Sequence, residues 1–183
     1  ANGATTETTD QPAPTQGEVK GDLARLQKEA STKSAGNRVG AKGELDAIER
    51  LTKEGKNVDK LPDRGVQGQK EPDFRVDGEL YEIKTREEPL DDRWLKDRIR
   101  DANKQFKGSN YENPRGSVEL QLKNQVESDT QLLERAERQV RGQFKHDRSE
   151  HVTDVRVYND GRLIGEWSRA GDKVVRTFPV AEK

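Results

Sequence analysis

From residue 38 onward, apolar and polar positions follow two distinct periods. Ala41, Leu45, Ala47, Ile48 and Leu51 fall on one arc at about 100° per residue, which predicts an amphipathic helix over 38–54, stopped by Gly55. A short strand is expected at 57–61. Period-two alternation over 73–76 and 79–85, joined by Asp77-Gly78, predicts a tight β-hairpin. A second amphipathic helix spans 90–107, with Leu95, Ile99, Ala102 and Phe106 inward and Gly108 after it. A strand follows at 117–123, then a third helix at 130–144 with Leu132, Leu133, Ala136 and Val140 inward. Three further strands at 152–158, 163–168 and 174–178 are separated by Asn159-Asp160-Gly161 and Ala170-Gly171-Asp172, the pattern of an antiparallel β meander. This order predicts a mixed α/β (α+β) domain: a central mixed sheet flanked by helices, with the meander at its C-terminal end.

The first 36 residues differ. Through Gly17 they are rich in Ala, Thr, Gln and Pro without apolar period and read as a linker or leader. Leu23, Leu26 and Ala30 allow one short helix before a Ser/Gly break at 34–36. The compact domain is therefore expected over 37–183, with C-terminal helix and meander at 130–183. The chain has 183 residues, is 28% hydrophobic and 38% charged, and carries a net charge of −1. Any basic surface must then be local and balanced by acidic surface elsewhere. With no cysteine, disulfides and thiolate zinc sites are excluded. There is no apolar run long enough for a membrane span, so no membrane insertion by this segment is expected. The absence of methionine is what a processed product, or the excised end of a larger protein, would show.

The hairpin carries the candidate chemistry. With Asp77-Gly78 as a two-residue loop, Val76 faces Glu79, Arg75 faces Leu80, Phe74 faces Tyr81 and Asp73 faces Glu82. Asp73, Glu82 and Lys84 then share one face, while Phe74, Val76, Tyr81 and Ile83 take the other. Two carboxylates directly opposed in a sheet repel, and a hard divalent cation offsets that cost. A lysine on the same face supplies positive charge beside a reacting oxygen. Glu44 lies near the centre of the apolar arc of the first helix, where a carboxylate needs a partner or a cation. The simpler alternative is a solvated surface hairpin with an ordinary cluster of charges.

Glu44, Pro72-Asp73 and Glu82-Ile83-Lys84 in this order resemble the PD-(D/E)xK nuclease superfamily. The stretch 72–85, with the basic helix and the strand after it, is similar more narrowly to the C-terminal tRNase domain of contact-dependent growth-inhibition toxins. The likeness covers residues 40–123. It implies a restriction-endonuclease-like core in which Asp73 and Glu82 hold Mg²⁺ or Mn²⁺, with the Ile83 carbonyl as a further ligand. It also implies that Lys84 positions or activates the attacking water, Glu44 completes the site and Thr85 supports it. The activity implied is hydrolysis of RNA, most specifically tRNA, by a domain secreted or surface-delivered as part of a larger protein. That domain would act in the target-cell cytoplasm and be neutralised by a cognate immunity protein. The rival readings are a DNA endonuclease on the same fold, and a non-catalytic metal- or partner-binding module.

Weaker features complete the picture. Arg93, Lys96, Arg100, Lys104 and Lys107 gather on the outer side of the 90–107 helix, and Lys96, Arg100 and Lys104 are candidate phosphate contacts. A solvated charged face is the alternative. His146 and His151 could serve a metal-independent ribonuclease as acid and base, but no second signature surrounds them. Trp94, Trp167 and Tyr158 read as packing residues. Glu119, Gln121 and Lys123 share one face of their strand, and the sequence leaves open which way it points.

Overall fold

In the computed structural model, which describes residues 15–32, 34–62, 72–145 and 148–180, eight strands form one sheet whose spatial order follows the chain. The elements are β1 (Val19–Lys20), α1 (Leu23–Ala30), α2 (Ala35–Lys53), β2 (Val58–Lys60), β3 (Phe74–Val76), β4 (Glu79–Arg86), α3 (Trp94–Lys107), β5 (Gly116–Leu122), α4 (Asp129–Phe144), β6 (Val152–Asn159), β7 (Arg162–Ala170) and β8 (Lys173–Phe178). β4, β5 and β6 run parallel, and β6–β7–β8 are antiparallel, so the expected meander continues the central sheet. The fold is the expected mixed α+β class, a mixed sheet flanked by helices. None of the described helices is long and apolar enough to cross a membrane.

Two apolar cores form, one on each face of the sheet. On one face α3 and α4 bury Leu95, Ile99, Phe106, Leu132 and Val140 against Leu80, Val118, Leu120 and Leu122. On the other, α1 and α2 bury Leu26, Ile48 and Leu51 against Phe74, Tyr81 and Ile83. Burying a side chain of this size contributes about 1.5–3 kcal/mol. Alternate residues of β4 thus serve opposite cores: Leu80, Glu82 and Lys84 face α3, and Tyr81, Ile83 and Thr85 face α2.

Local chemistry explains the boundaries. Asp77 and Gly78 both have positive φ (49° and 84°), as do Asp160 and Gly161 (45° and 80°) at the β6–β7 turn. These pairs match the right-handed twist of a two-residue hairpin. A Ser128–Gln131 capping box starts α4. α3 begins at Trp94, later than position 90, because Asp91 Oδ1 accepts the amide protons of Arg93 and Trp94 at 2.9 and 2.7 Å.

The short helix allowed at Leu23–Ala30 is α1, and its surroundings are packed on the rest of the fold. β1 pairs in parallel with β2, Gly17 N–H donates to the Thr52 carbonyl at 2.8 Å, and Leu26 is buried between α1 and the second core. Among the described residues, 17–30 therefore pack on the second core and the sheet edge. A two-residue strand is too short to show any period.

Candidate active site

The β3–β4 register is the one expected: Val76 opposite Glu79, Arg75 opposite Leu80, Phe74 opposite Tyr81. One step further, Asp73 stands opposite Glu82 and its backbone N–H donates to Glu82 Oε2 at 3.2 Å. Glu82 is fully buried (0% exposed). Lys84 Nζ lies 2.8 Å from Glu82 Oε1, an ion pair within one strand that occupies that oxygen. Lys60 Nζ, from the neighbouring β2, approaches Asp73 Oδ1 to 3.9 Å. Glu44 reaches Asp73 from α2. Four of the expected residues, Glu44, Asp73, Glu82 and Lys84, therefore form one cluster.

Burial, then the Asp73 charge, raises the Glu82 carboxyl well above its ordinary range, and Lys84 opposes the rise. Burial also raises Glu44, to about 8, reinforced by the charge of Asp73 and a hydrogen bond shared with it, and opposed by Lys60 and Lys84. For Lys84, burial disfavours the ammonium, but Glu82 and Asp73 outweigh it and lift the pKa above that of an ordinary lysine. Lys84 is therefore a fixed cation at neutral pH.

Asp73 and Glu82 are the carboxylates of the cluster that could hold a divalent cation. Among the described residues no three carboxylates or imidazoles form a full metal cage. Mg²⁺ prefers one or two carboxylates and fills its remaining positions with water and phosphate oxygens. Glu82 Oε1 faces the Lys84 ammonium at 2.8 Å, so a cation bound there would share or displace that contact.

Thr85 points to the other face of the sheet, where its hydroxyl donates to Gln121 Oε1 at 3.3 Å. It packs against Gly43 of α2, where an added Cβ would lie 2.0 Å from Thr85 Oγ1 and 2.8 Å from Gln121 Oε1. Gly43 is thus what lets α2, with Glu44 next in the chain, lie close on β4 and β5. Gly43→Ala is expected to destabilise the protein by about 1–3 kcal/mol from overpacking, exceeding the roughly 1 kcal/mol that alanine gains in a helix. A urea midpoint at or above wild type would show that the helix can move away freely.

Also on this face is a buried polar network. Glu119, fully buried, accepts from Tyr81 Oη at 2.6 Å, Gln121 Nε2 at 2.6 Å and the Arg50 guanidinium. Gln121 Nε2 also donates to the Gly43 carbonyl at 2.9 Å, and Arg50 lies 4.0 Å from the Tyr158 ring centroid. Burial, then Glu119, pushes the Tyr81 hydroxyl well up, and burial raises Tyr158 to about 12. A cavity of about 460 Å³ opens here, between α2 and β5–β6, and not over Glu82. Glu119 and Gln121 therefore clamp α2 to the sheet.

The basic row expected on α3 lies elsewhere than at this cluster. Lys96 faces α4, where a Cβ at Gly142 would meet its Cε at 3.7 Å, and Arg100 pairs with Asp97 at 3.1 Å. Lys104 is exposed near the end of the helix. The α3 cation whose charge acts on Lys84 is Arg98, about 200° around the helix from Lys96 and Arg100. Sequence reasoning missed Arg98 and Lys60. His151 Nδ1 contacts the Pro114 carbonyl at 2.9 Å, far in the chain from the carboxylates; His146 is outside the described residues. Trp167 is buried in the first core as a packing residue.

Neither a family model nor a curated protein matches this chain. Among solved structures it is similar to the "CdiA-CT/CdiI toxin and immunity complex from Burkholderia pseudomallei", with a TM-score of 0.47 and 14% sequence identity, over 80% of this chain and 90% of that one.

Proposed function

We propose that the chain is a metal-dependent nuclease that hydrolyses phosphodiester bonds at the Asp73–Glu82–Lys84 cluster. The observation that carries this reading is the fully buried Glu82, set opposite Asp73 across the hairpin and paired with Lys84 on its own strand. Asp73 and Glu82 would hold Mg²⁺ or Mn²⁺, which polarises the phosphate and lowers the pKa of bound water. Lys84 keeps its proton, so it orients the attacking water and stabilises charge growing on the phosphate without acting as a base. Glu44, whose carboxyl is held above its ordinary range by burial and Asp73, would exchange a proton with water at the cluster.

RNA is the favoured substrate, and tRNA in particular, on the sequence resemblance alone. The same resemblance favours a delivered toxin domain with a cognate immunity protein as its partner. A DNA endonuclease would use the same cluster. The test is cleavage of total RNA and supercoiled plasmid by wild type and Asp73→Ala, with Mg²⁺ and with EDTA. Wild type is expected to cleave with Mg²⁺ and to stop in EDTA, and Asp73→Ala to lose at least about a hundredfold in rate. The substrate that is degraded distinguishes RNA from DNA. Folded wild type that cleaves neither with Mg²⁺ or Mn²⁺, or Asp73→Ala at full rate, would sink the proposal.

A further inference from the structure

Among the described residues, Arg75 Nε of β3 and Arg98 Nε and Gln105 Oε1 of α3 are buried without a hydrogen-bond partner. Arg98 and Gln105 are seven residues apart and share one face of α3. Arg75, opposite Leu80, lies two residues along the chain from Asp73 and on the same face of the sheet. Its guanidinium carbon sits 4.2 Å from the centroid of Tyr111, in the loop after α3.

Arg75 and Tyr111 line a cavity of about 300 Å³ together with Arg115 and Thr153. Among the described residues, neither Arg75 nor Arg115 has a carboxylate within ion-pairing distance, although the exposed Glu79 and Glu112 stand at the same rim. Two guanidiniums thus face one cavity, and that of Arg75 is stacked on an aromatic ring and holds a buried N–H with no acceptor. Guanidinium forks match phosphate oxygens in geometry and charge.

We propose that Arg75, Arg115 and Tyr111 bind a phosphodiester of a single nucleic-acid strand one nucleotide step from the Asp73–Glu82 centre. Two strand residues cover about 7 Å, a span that one such step can bridge. The position of the strand relative to the scissile bond rests on the nuclease reading. The anion site itself does not.

The experiment measures fluorescence anisotropy in EDTA, where the proposed cleavage is off. It uses a labelled single-stranded oligoribonucleotide, its deoxy counterpart and an oligoglutamate peptide of equal length. Arg75→Ala is expected to weaken strand binding about tenfold and Arg115→Ala about threefold. Each should make the slope of log affinity against log salt shallower by about one. Arg75→Lys should recover the salt slope but only part of the affinity. Arg115 is exposed, so its variant tests the site even if Arg75→Ala fails to fold. Strand affinity and salt slope unchanged in both alanine variants would overturn the proposal, as would wild type that binds no strand at low salt. Oligoglutamate bound as tightly as the strands, with the same losses, would overturn it in favour of an acidic peptide. Arg75-dependent binding without any cleavage would reject the nuclease reading and leave the subsite standing. Metal-dependent cleavage with arginine-independent binding would do the reverse.

Discussion

Replacing Glu119 with alanine is expected to lower the unfolding free energy by about 3–5 kcal/mol, the range typical when one partner of a buried ion pair is removed. The substitution leaves the Arg50 guanidinium beside Tyr158 without its anion and the Tyr81 hydroxyl without its acceptor. Gln121 keeps its bond to the Gly43 carbonyl, so α2 retains one of its ties to β5. The Arg50 side chain is 23% exposed, and partial rehydration places the loss toward the lower end of the range. Glu119→Gln should cost less, about 1–3 kcal/mol, because an amide oxygen can still accept from Tyr81 and Arg50 while its NH₂ opposes that of Gln121. Urea titration measures both: the midpoint should fall at constant slope. If Glu119→Ala cost under about 1 kcal/mol, α2 would not be held by this network, and its role in placing Glu44 would fall with it.

Glu44→Gln is expected to stabilise the metal-free protein at pH 8.5 by on the order of 2–4 kcal/mol, allowing for partial exposure, and to change little at pH 4.5. Burial first, then Asp73, holds the Glu44 carboxyl at about 8 against an ordinary value of 4.5. The folded protein therefore binds this proton more tightly than the unfolded chain. The proton's contribution to stability is complete below about pH 4.5, fades as the pH rises, and is gone above about pH 8. Glutamine keeps a neutral, hydrogen-bonding side chain at every pH and so escapes that loss. Melting temperatures of both proteins in EDTA across this window would diverge as the pH increases. Parallel curves would show that Glu44 is solvated as an ordinary carboxylate, and its place in the cluster would have to be abandoned.

The hairpin was legible because its chemistry is local. Asp77-Gly78 permits a two-residue turn, that turn imposes the register, and the register sets Asp73 opposite Glu82. Glu44 could be placed near the cluster from its position on the apolar arc of α2. The rest depended on contacts between distant parts of the chain. The apolar stripe of α3 shows which side is buried, but not which flank meets β4 and which meets α4. The basic row was therefore drawn through Lys96, Arg100 and Lys104, while Arg98 is the residue that acts on Lys84. Glu119 and Gln121 share one face of an alternating strand, and the alternation alone does not say which way that face points. Their burial follows from α2 lying over them, with Arg50 sixty-nine residues away from Glu119 in sequence. The leader looked unstructured because β1 is short and α1 buries mainly Leu26.

The strand order has a kinetic consequence. Every strand pairs with its immediate successor in the chain, so the contacts that build the sheet close the shortest loops available to it. The antiparallel pairs β2–β3, β3–β4, β6–β7 and β7–β8 need no intervening helix, while the parallel steps β1–β2, β4–β5 and β5–β6 are each bridged by helix. No strand must wait for a distant segment to arrive before it can be added. The slow steps are then the parallel ones, whose partners stand 36 to 39 residues apart, and the hairpin pairs β3–β4, β6–β7 and β7–β8 can close before them.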